Sequence, residues 1–193
     1  MHSLHIHRRA AIAVGMAGLL AGALAGPALA ADTLTQTITA GGGLSASVAN
    51  LNFPDVAYEN ATHAVTGTMV LTADDSRGDS AGWSVTIQGS AFVYTGANGG
   101  TDIPAANFAL TSAEQPTALA GQPVSLVDST GPQIPIEGIV FGSLETPLKT
   151  LRATAAYGNG TYSQDLGVTL TIPGQSKAGT YTGTLTTTIS ATP

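Results

Sequence analysis

The chain of 193 residues contains no cysteine and little charge, since Asp, Glu, Lys and Arg together make up 9% of it. The absence of cysteine excludes disulfides and thiolate metal sites, so the fold must be stabilised by a packed hydrophobic core. About 160 residues remain after a short N-terminal segment, which is enough for one such domain. We therefore predict a single domain with a large core.

Basic residues are also scarce, with 6 Lys and Arg against 12 Asp and Glu and a formal net charge of −6. Two of the six are the adjacent Arg8 and Arg9. The rest of the chain therefore has no basic patch, which argues against binding to nucleic acid or to an anionic membrane surface. An acidic, threonine-rich chain of this kind suits a secreted protein outside the cell, either soluble or associated with the wall.

The N-terminal segment has the pattern of a secretory signal peptide. The basic pair precedes a small, apolar run at residues 10–25, and Ala-Leu-Ala at 28–30 forms a small-residue cleavage site. The apolar run is shorter than the roughly 20 residues that span a bilayer. We therefore predict a signal peptide at 1–30, a mature domain at 31–193 and no membrane span in the mature form.

The clearest strand pattern lies between residues 64 and 88, where apolar side chains recur at every second position on both sides of an acidic turn. A period of two indicates a strand with one buried face and one wet face. The Asp, Ser and Gly residues between the two arms are typical turn residues. The stretch therefore predicts a β-hairpin whose inward positions are Val65, Gly67, Met69, Leu71, Trp83, Val85 and Ile87.

Further short strands separated by Gly and Pro turns are predicted along the rest of the chain, and residues 56–62 are predicted to be a loop or a short edge segment. No stretch of the mature chain has the 3.6-residue apolar period of a helix. The predicted fold is therefore all-β, a single antiparallel β-sandwich of the Ig-like or jelly-roll-like kind. The additional strands are expected within 34–51, 91–94, 103–110, 124–127, 134–141, 148–156, 168–172 and 180–190.

The residues do not assemble a catalytic set. The spelling Gly-x-Ser-x-Gly occurs at residues 78–82, but in the predicted turn between two strands rather than between a strand and a helix, so it is not a nucleophile elbow. His63 is the one histidine after the predicted signal peptide. No spacing selects a catalytic set around it, so we predict that the protein is not an enzyme and uses no cofactor.

Trp83 admits two interpretations. An exposed Trp is a platform on which sugar rings stack, whereas a Trp in phase with Val85 and Ile87 is a core residue. The alternation favours the core.

Three carboxylates in the acidic turn, those of Asp74, Asp75 and Asp79, could surround a calcium ion. The spacing matches no EF-hand, and Arg77 places a positive charge among them. A β-turn in which the Asp side chains cap backbone amides is the simpler interpretation. The sequence therefore favours no metal and leaves these residues as the calcium candidates.

Two stretches of the chain resemble the signature regions of WxL-type bacterial cell-surface domains. They are LTADDSRGDSAGWSVTIQGSAF and, at the C-terminus, VTLTIPGQSKAGTYTGTLTTTISATP. The first family triplet is Trp83-Ser84-Val85 here, and the second falls at Thr187-Thr188-Ile189, where Thr replaces the Trp. The resemblance thus implies four candidate residues for wall binding or for defining the fold: Trp83, Val85, Thr187 and Ile189.

The resemblance implies an exported bacterial surface protein that associates non-covalently with the cell wall, through peptidoglycan or other surface proteins. The alternative is a structural subunit of a pilus-like or coat-like polymer joined by strand addition. The Thr-rich run at 180–190 has no Lys or Pro to protect an edge. If this run is an edge strand, polymerisation gains support.

Overall fold

A computed structural model describes residues 36–38, 41–124, 131–134 and 141–193. Residues Ile38–Pro193 form one compact unit. The predicted signal peptide lies outside the described residues, as do most of the two strands predicted at 124–127 and 134–141.

Almost all of the regular secondary structure in the described residues is β-strand. The exception is one 3-10 helix at Ala105–Asn107. The prediction of an all-β fold is therefore confirmed. The strands are β1 (Leu44–Val48), β2 (His63–Asp75), β3 (Trp83–Gly89), β4 (Val93–Thr95), β5 (Phe108–Ala113), β6 (Thr117–Gly121), β7 (Gly142–Ser143), β8 (Leu148–Ala153), β9 (Gly160–Ile172), β10 (Thr180–Thr182) and β11 (Leu185–Ser190).

Antiparallel sheets enclose the core as a β-sandwich. The larger sheet has the order β1-β2-β9-β5-β7, with β6 also paired to β9, and the second has the order β11-β3-β8. A small ribbon pairs β10 with β4. The two 13-residue strands β2 and β9 pair along their whole length and form the centre of the larger sheet.

The core lies between the inward faces of these sheets, where alternate side chains of β2, β3 and β9 are buried. The rings of Phe92 and Phe108 meet edge to face at 5.3 Å between centroids. Such packing of two inner faces is what stabilises a sandwich without disulfides. The largest fully buried hydrophobic side chains are Trp83, Tyr162, Leu71, Ile87, Ile103, Leu110, Leu144, Leu151 and Leu166.

The prediction that β2 and β3 pair as a hairpin is wrong. β2 pairs with β1 and β9, whereas β3 pairs with β8 and β11. The acidic turn therefore carries the chain from one sheet to the other. Both arms bury their predicted faces, because the two sheets share one core.

The predicted strand at 180–190 is two strands. β10 pairs with β4 and β11 with β3, and the chain changes partner at Gly183 and Thr184. A Cβ on Gly183 would lie 3.0 Å from the ring of Phe92. Ser90 holds the junction, since its N–H donates to the Thr184 carbonyl oxygen and its Oγ accepts from the Thr184 N–H, both at 2.9 Å. β11 lies at the edge of its sheet.

Candidate functional site

Trp83 is a core residue with 0% of its surface exposed. Its indole N–H donates to the carbonyl oxygen of Gly158 at 3.0 Å, and its ring lies 6.0 Å from that of Tyr162. Val85, two residues further along β3, is equally buried. Trp83 and Val85 of the first signature triplet therefore offer no surface on which a ligand could stack.

Thr187 and Ile189 lie on β11 and are half-buried. The ladder between β11 and β3 sets Ile189 opposite Val85 and Thr187 opposite Ile87. The fold thus brings the two signature regions together as neighbouring strands. Ile189 packs against the rim of the core.

The acidic turn is closed by an ion pair between Asp75 and Arg77. Nε and Nη2 of Arg77 each donate to the Asp75 carboxylate at 2.9 Å, and Nη2 also donates to the Gly82 carbonyl oxygen at 3.0 Å. Burial alone raises the pKa of Asp75, but the hydrogen bonds and charge of Arg77 outweigh it and hold the pKa below its ordinary value. Burial and the charge of Asp75 raise the pKa of Tyr162 to about 12.

The other two calcium candidates also accept hydrogen bonds from nearby groups. Asp74 accepts from the hydroxyls of Thr161 at 2.6 Å and Ser76 at 2.5 Å. Asp79 is exposed, and its Oδ1 accepts from the backbone N–H of Ala81 at 3.1 Å. Within the described ranges, no group of three or more His, Cys, Asp or Glu side chains is placed to hold a metal ion. The turn carboxylates therefore bind protein donors.

An open groove of about 680 Å³ lies elsewhere on the unit, and we call it the main groove. Residues 51–58 form one part of its lining and belong to the stretch 50–58, here called the groove segment. Residues 173 and 176–183 form another part. Apolar side chains contribute much of the remaining lining, and the volume of the groove falls in the range of ligand sites. These apolar residues are Val65, Phe92, Ile103, Leu170 and Ile172.

The groove segment is held by side chains rather than by backbone pairing. Leu51 packs over Gly67, where a Cβ would lie 2.7 Å from the Leu51 Cδ2, and Phe53 meets Phe108 edge to face at 6.2 Å. Between residues 50 and 58, no backbone N–H or C=O forms a hydrogen bond with another described residue. The segment therefore presents a row of unpaired polar groups beside an apolar surface.

Charged and aromatic side chains complete the groove. Asp55 and Lys177 line it, and neither forms an ion pair with any other residue that the structure describes. Glu59 lies 3.8 Å from the imidazole of His63. Tyr58 is 56% exposed. The groove thus combines hydrogen-bonding capacity, both signs of charge and an accessible aromatic ring.

The sequence pattern did not predict the main groove. The pattern predicted a break at Phe53-Pro54-Asp55 and a loop or short edge segment at residues 56–62. The signal that was available is the recurrence of Leu51, Phe53 and Val56 in a stretch without a strand pattern. Apolar residues of that kind indicate a segment packed onto the core rather than a free loop.

Comparison with known proteins gives one match. A family model described as "WxL domain surface cell wall-binding" matches residues 35–193, which include both signature regions and every described strand. No curated protein matches the chain, and no solved structure does. Among the described residues, no helix is long and apolar enough to cross a membrane.

Proposed function

Because the chain belongs to the WxL family of cell-wall-binding surface domains, we propose that it is exported by a signal peptide at 1–30 and held non-covalently on peptidoglycan through the main groove. The family is one of binding domains rather than of enzymes. The observation that carries the proposal is the groove segment, whose backbone is unpaired beside an apolar surface.

The position of the signature residues supports the groove as the binding site. Trp83 and Val85 are enclosed in the core, so their role is to define the fold that holds the groove. Ligand sites are concave and apolar with a few polar groups that orient the ligand. The main groove has that composition, with Asp55, Lys177 and the open backbone as its polar groups.

Sedimentation with purified peptidoglycan sacculi tests the proposal. The protein, produced from the full chain in an exporting host, is expected to sediment with sacculi in a saturable manner. Tyr58→Ala is expected to weaken binding about tenfold, since it removes the equivalent of about 1.4 kcal/mol of ring burial. Tyr157→Ala is the matched control, because Tyr157 is also exposed but does not line the groove. Absence of saturable binding, or equal loss in both variants, would contradict the proposal.

The second candidate function is an assembly subunit joined by strand addition. β11 lies at the edge of its sheet, has β3 as its partner among the described strands, and contains no Lys or Pro. β1 lies close to β11 without pairing with it, and an edge whose backbone groups are unpaired and that lacks Lys and Pro can pair with a strand of a neighbouring chain.

Size-exclusion chromatography with light scattering tests the second candidate. An assembly subunit is expected to give high-mass species that grow with protein concentration. Thr188→Lys places a charge on the exposed face of β11 and is expected to reduce them, whereas Thr68→Lys does the same on the central strand β2 and serves as the control. A wild-type protein that remains monomeric at all concentrations would eliminate this function.

A further inference from the structure

We propose that the main groove binds the stem-peptide component of peptidoglycan rather than its glycan strand. This inference rests on the proposed function and specifies its ligand. Three features of the groove carry it: the unpaired backbone, the unpaired charges and the small exposed aromatic area.

The unpaired backbone suits a peptide ligand. Between residues 50 and 58, the N–H and C=O groups have no partner in the described chain. A peptide carries the same donors and acceptors at a regular spacing, so it can pair with such a segment as an added strand does. The apolar side chains beside the segment then accommodate methyl-sized groups, such as the side chains of the alanines in a stem peptide.

The unpaired charges distinguish the two components of the wall. Asp55 and Lys177 line the same groove, and neither forms an ion pair within the described part of the chain. A strand of N-acetylated sugars is uncharged where its lactyl carboxyl groups are amide-linked to peptides. The stem peptide has carboxylates and, on its diamino acid, a free amine. Only the peptide therefore offers counter-charges, with the amine suited to Asp55 and a carboxylate to Lys177.

The aromatic side chains argue against a sugar-stacking surface. Glycan binding of that kind needs broad, exposed ring faces. The chain's single Trp is enclosed in the core, and Phe53 and Phe92 of the groove pack against each other at 6.4 Å between centroids. Tyr58 is the groove aromatic with more than half of its surface exposed. One exposed ring can cover a peptide, but it does not form a platform for a row of sugars.

Calorimetry with the purified protein and two probes tests the inference. The probes are the pentapeptide N-acetyl-L-Ala-γ-D-Glu-L-Lys-D-Ala-D-Ala, whose blocked N-terminus matches its amide link in the wall, and glycan strands that are freed of peptide by an amidase and then amidated at the freed lactyl carboxyl groups. The pentapeptide is expected to bind and the stripped glycan is not. Lys177→Gln and Asp55→Asn are each expected to weaken peptide binding about fivefold, as for an exposed ion pair.

Matched controls separate these local effects from a change in net charge. Lys149→Gln and Asp165→Asn change exposed charges outside the groove and are expected to leave binding unchanged. Acetylation of the peptide's lysine amine removes the partner assigned to Asp55. Against the acetylated peptide, Asp55→Asn is therefore expected to have no further effect.

The failures of the two proposals are distinguishable. Binding of sacculi and of stripped glycan, without binding of the pentapeptide, would overturn the stem-peptide inference and leave the wall-binding function standing. Peptide binding that the groove variants and their controls weaken equally would also overturn it. Failure to bind sacculi at all would contradict the proposed function itself.

Discussion

Replacing Trp83 with alanine is expected to lower the free energy of unfolding by about 3–5 kcal/mol, the range for a large aromatic removed from a core. The side chain is fully buried, contacts Tyr162 and donates a hydrogen bond to the carbonyl oxygen of Gly158 at 3.0 Å. Its loss leaves a cavity and an unsatisfied carbonyl. The stability of a whole domain is about 5–15 kcal/mol, so this substitution removes a large fraction of it.

Urea unfolding followed by far-UV circular dichroism measures the effect, because the variant has no Trp fluorescence. Trp83→Phe retains an aromatic ring and loses the hydrogen bond to Gly158, so its expected loss is smaller, about 1–3 kcal/mol. Tyr157→Ala is the control and is expected to stay within about 0.5 kcal/mol of the wild type, since Tyr157 is exposed. A loss below about 1 kcal/mol for Trp83→Ala would contradict the core role.

The same variants separate fold from function. A folded Trp83→Phe protein is expected to sediment with sacculi as the wild type does, since Trp83 has no exposed surface and does not line the main groove. Loss of sacculi binding by a folded Trp83→Phe protein would contradict that placement. We therefore expect substitution of Trp83 to lower the stability of the fold and substitution of Tyr58 to weaken binding to sacculi.

The sequence predicted the buried faces well because burial depends on local alternation. On β2, Val65, Met69 and Leu71 are buried as the period of two indicates, and on β3 the same holds for Trp83 and Val85. Alternation does not specify the partner strand. A turn rich in Asp and Gly can reverse a chain within one sheet or carry it to the facing sheet, and here it crosses.

The alternation of residues likewise did not predict the break between β10 and β11. Thr and apolar residues alternate through Gly183 without interruption. The division comes from tertiary contacts, since Phe92 lies against Gly183 and Ser90 binds the backbone of Thr184. Contacts between residues so distant in the chain leave no periodic signal.

The main groove was missed for another reason. Its polar capacity resides in backbone groups between residues 50 and 58, and every residue type carries these groups. What makes them available is the absence of a partner strand, which is a property of the whole fold. The side chains gave a partial signal, because Leu51 and Phe53 pack inward while Asp55 and Tyr58 remain exposed.

Replacing Arg77 with alanine is expected to lower the free energy of unfolding by about 3–5 kcal/mol at neutral pH, because it leaves the Asp75 carboxylate buried without its counter-charge. The Asp75 side chain has 0% exposure, and its carboxylate accepts hydrogen bonds from both Nε and Nη2 of Arg77 at 2.9 Å. Arg77 also binds the Gly82 carbonyl oxygen, so the pair fixes both ends of the connection between the two sheets.

The expected pH dependence follows from the direction of the pKa shift. Asp75 in the wild type has a pKa below its ordinary value of 3.8, so the ion pair contributes its full stability above that pH. The contribution is lost as the pH falls through the lowered value. In Arg77→Ala, desolvation without compensation is expected to raise the pKa of Asp75 instead. The stability difference between the two proteins is therefore largest at neutral pH. It begins to shrink as the pH falls through the raised pKa of Asp75 in the variant, and it shrinks further below 3.8, where the wild-type ion pair is lost.

Urea unfolding at neutral pH and at acidic pH measures this difference. Lys149→Ala, which removes an exposed cation on β8, is the control and is expected to cost little at either pH. Asp75→Asn combined with Arg77→Met removes both charges and is expected to recover part of the stability lost in Arg77→Ala, since no unpaired charge stays buried. An equal loss at both pH values would show that Arg77 acts through packing and the Gly82 contact rather than through Asp75. In that case, the acidic turn would be held between the sheets by shape rather than by charge.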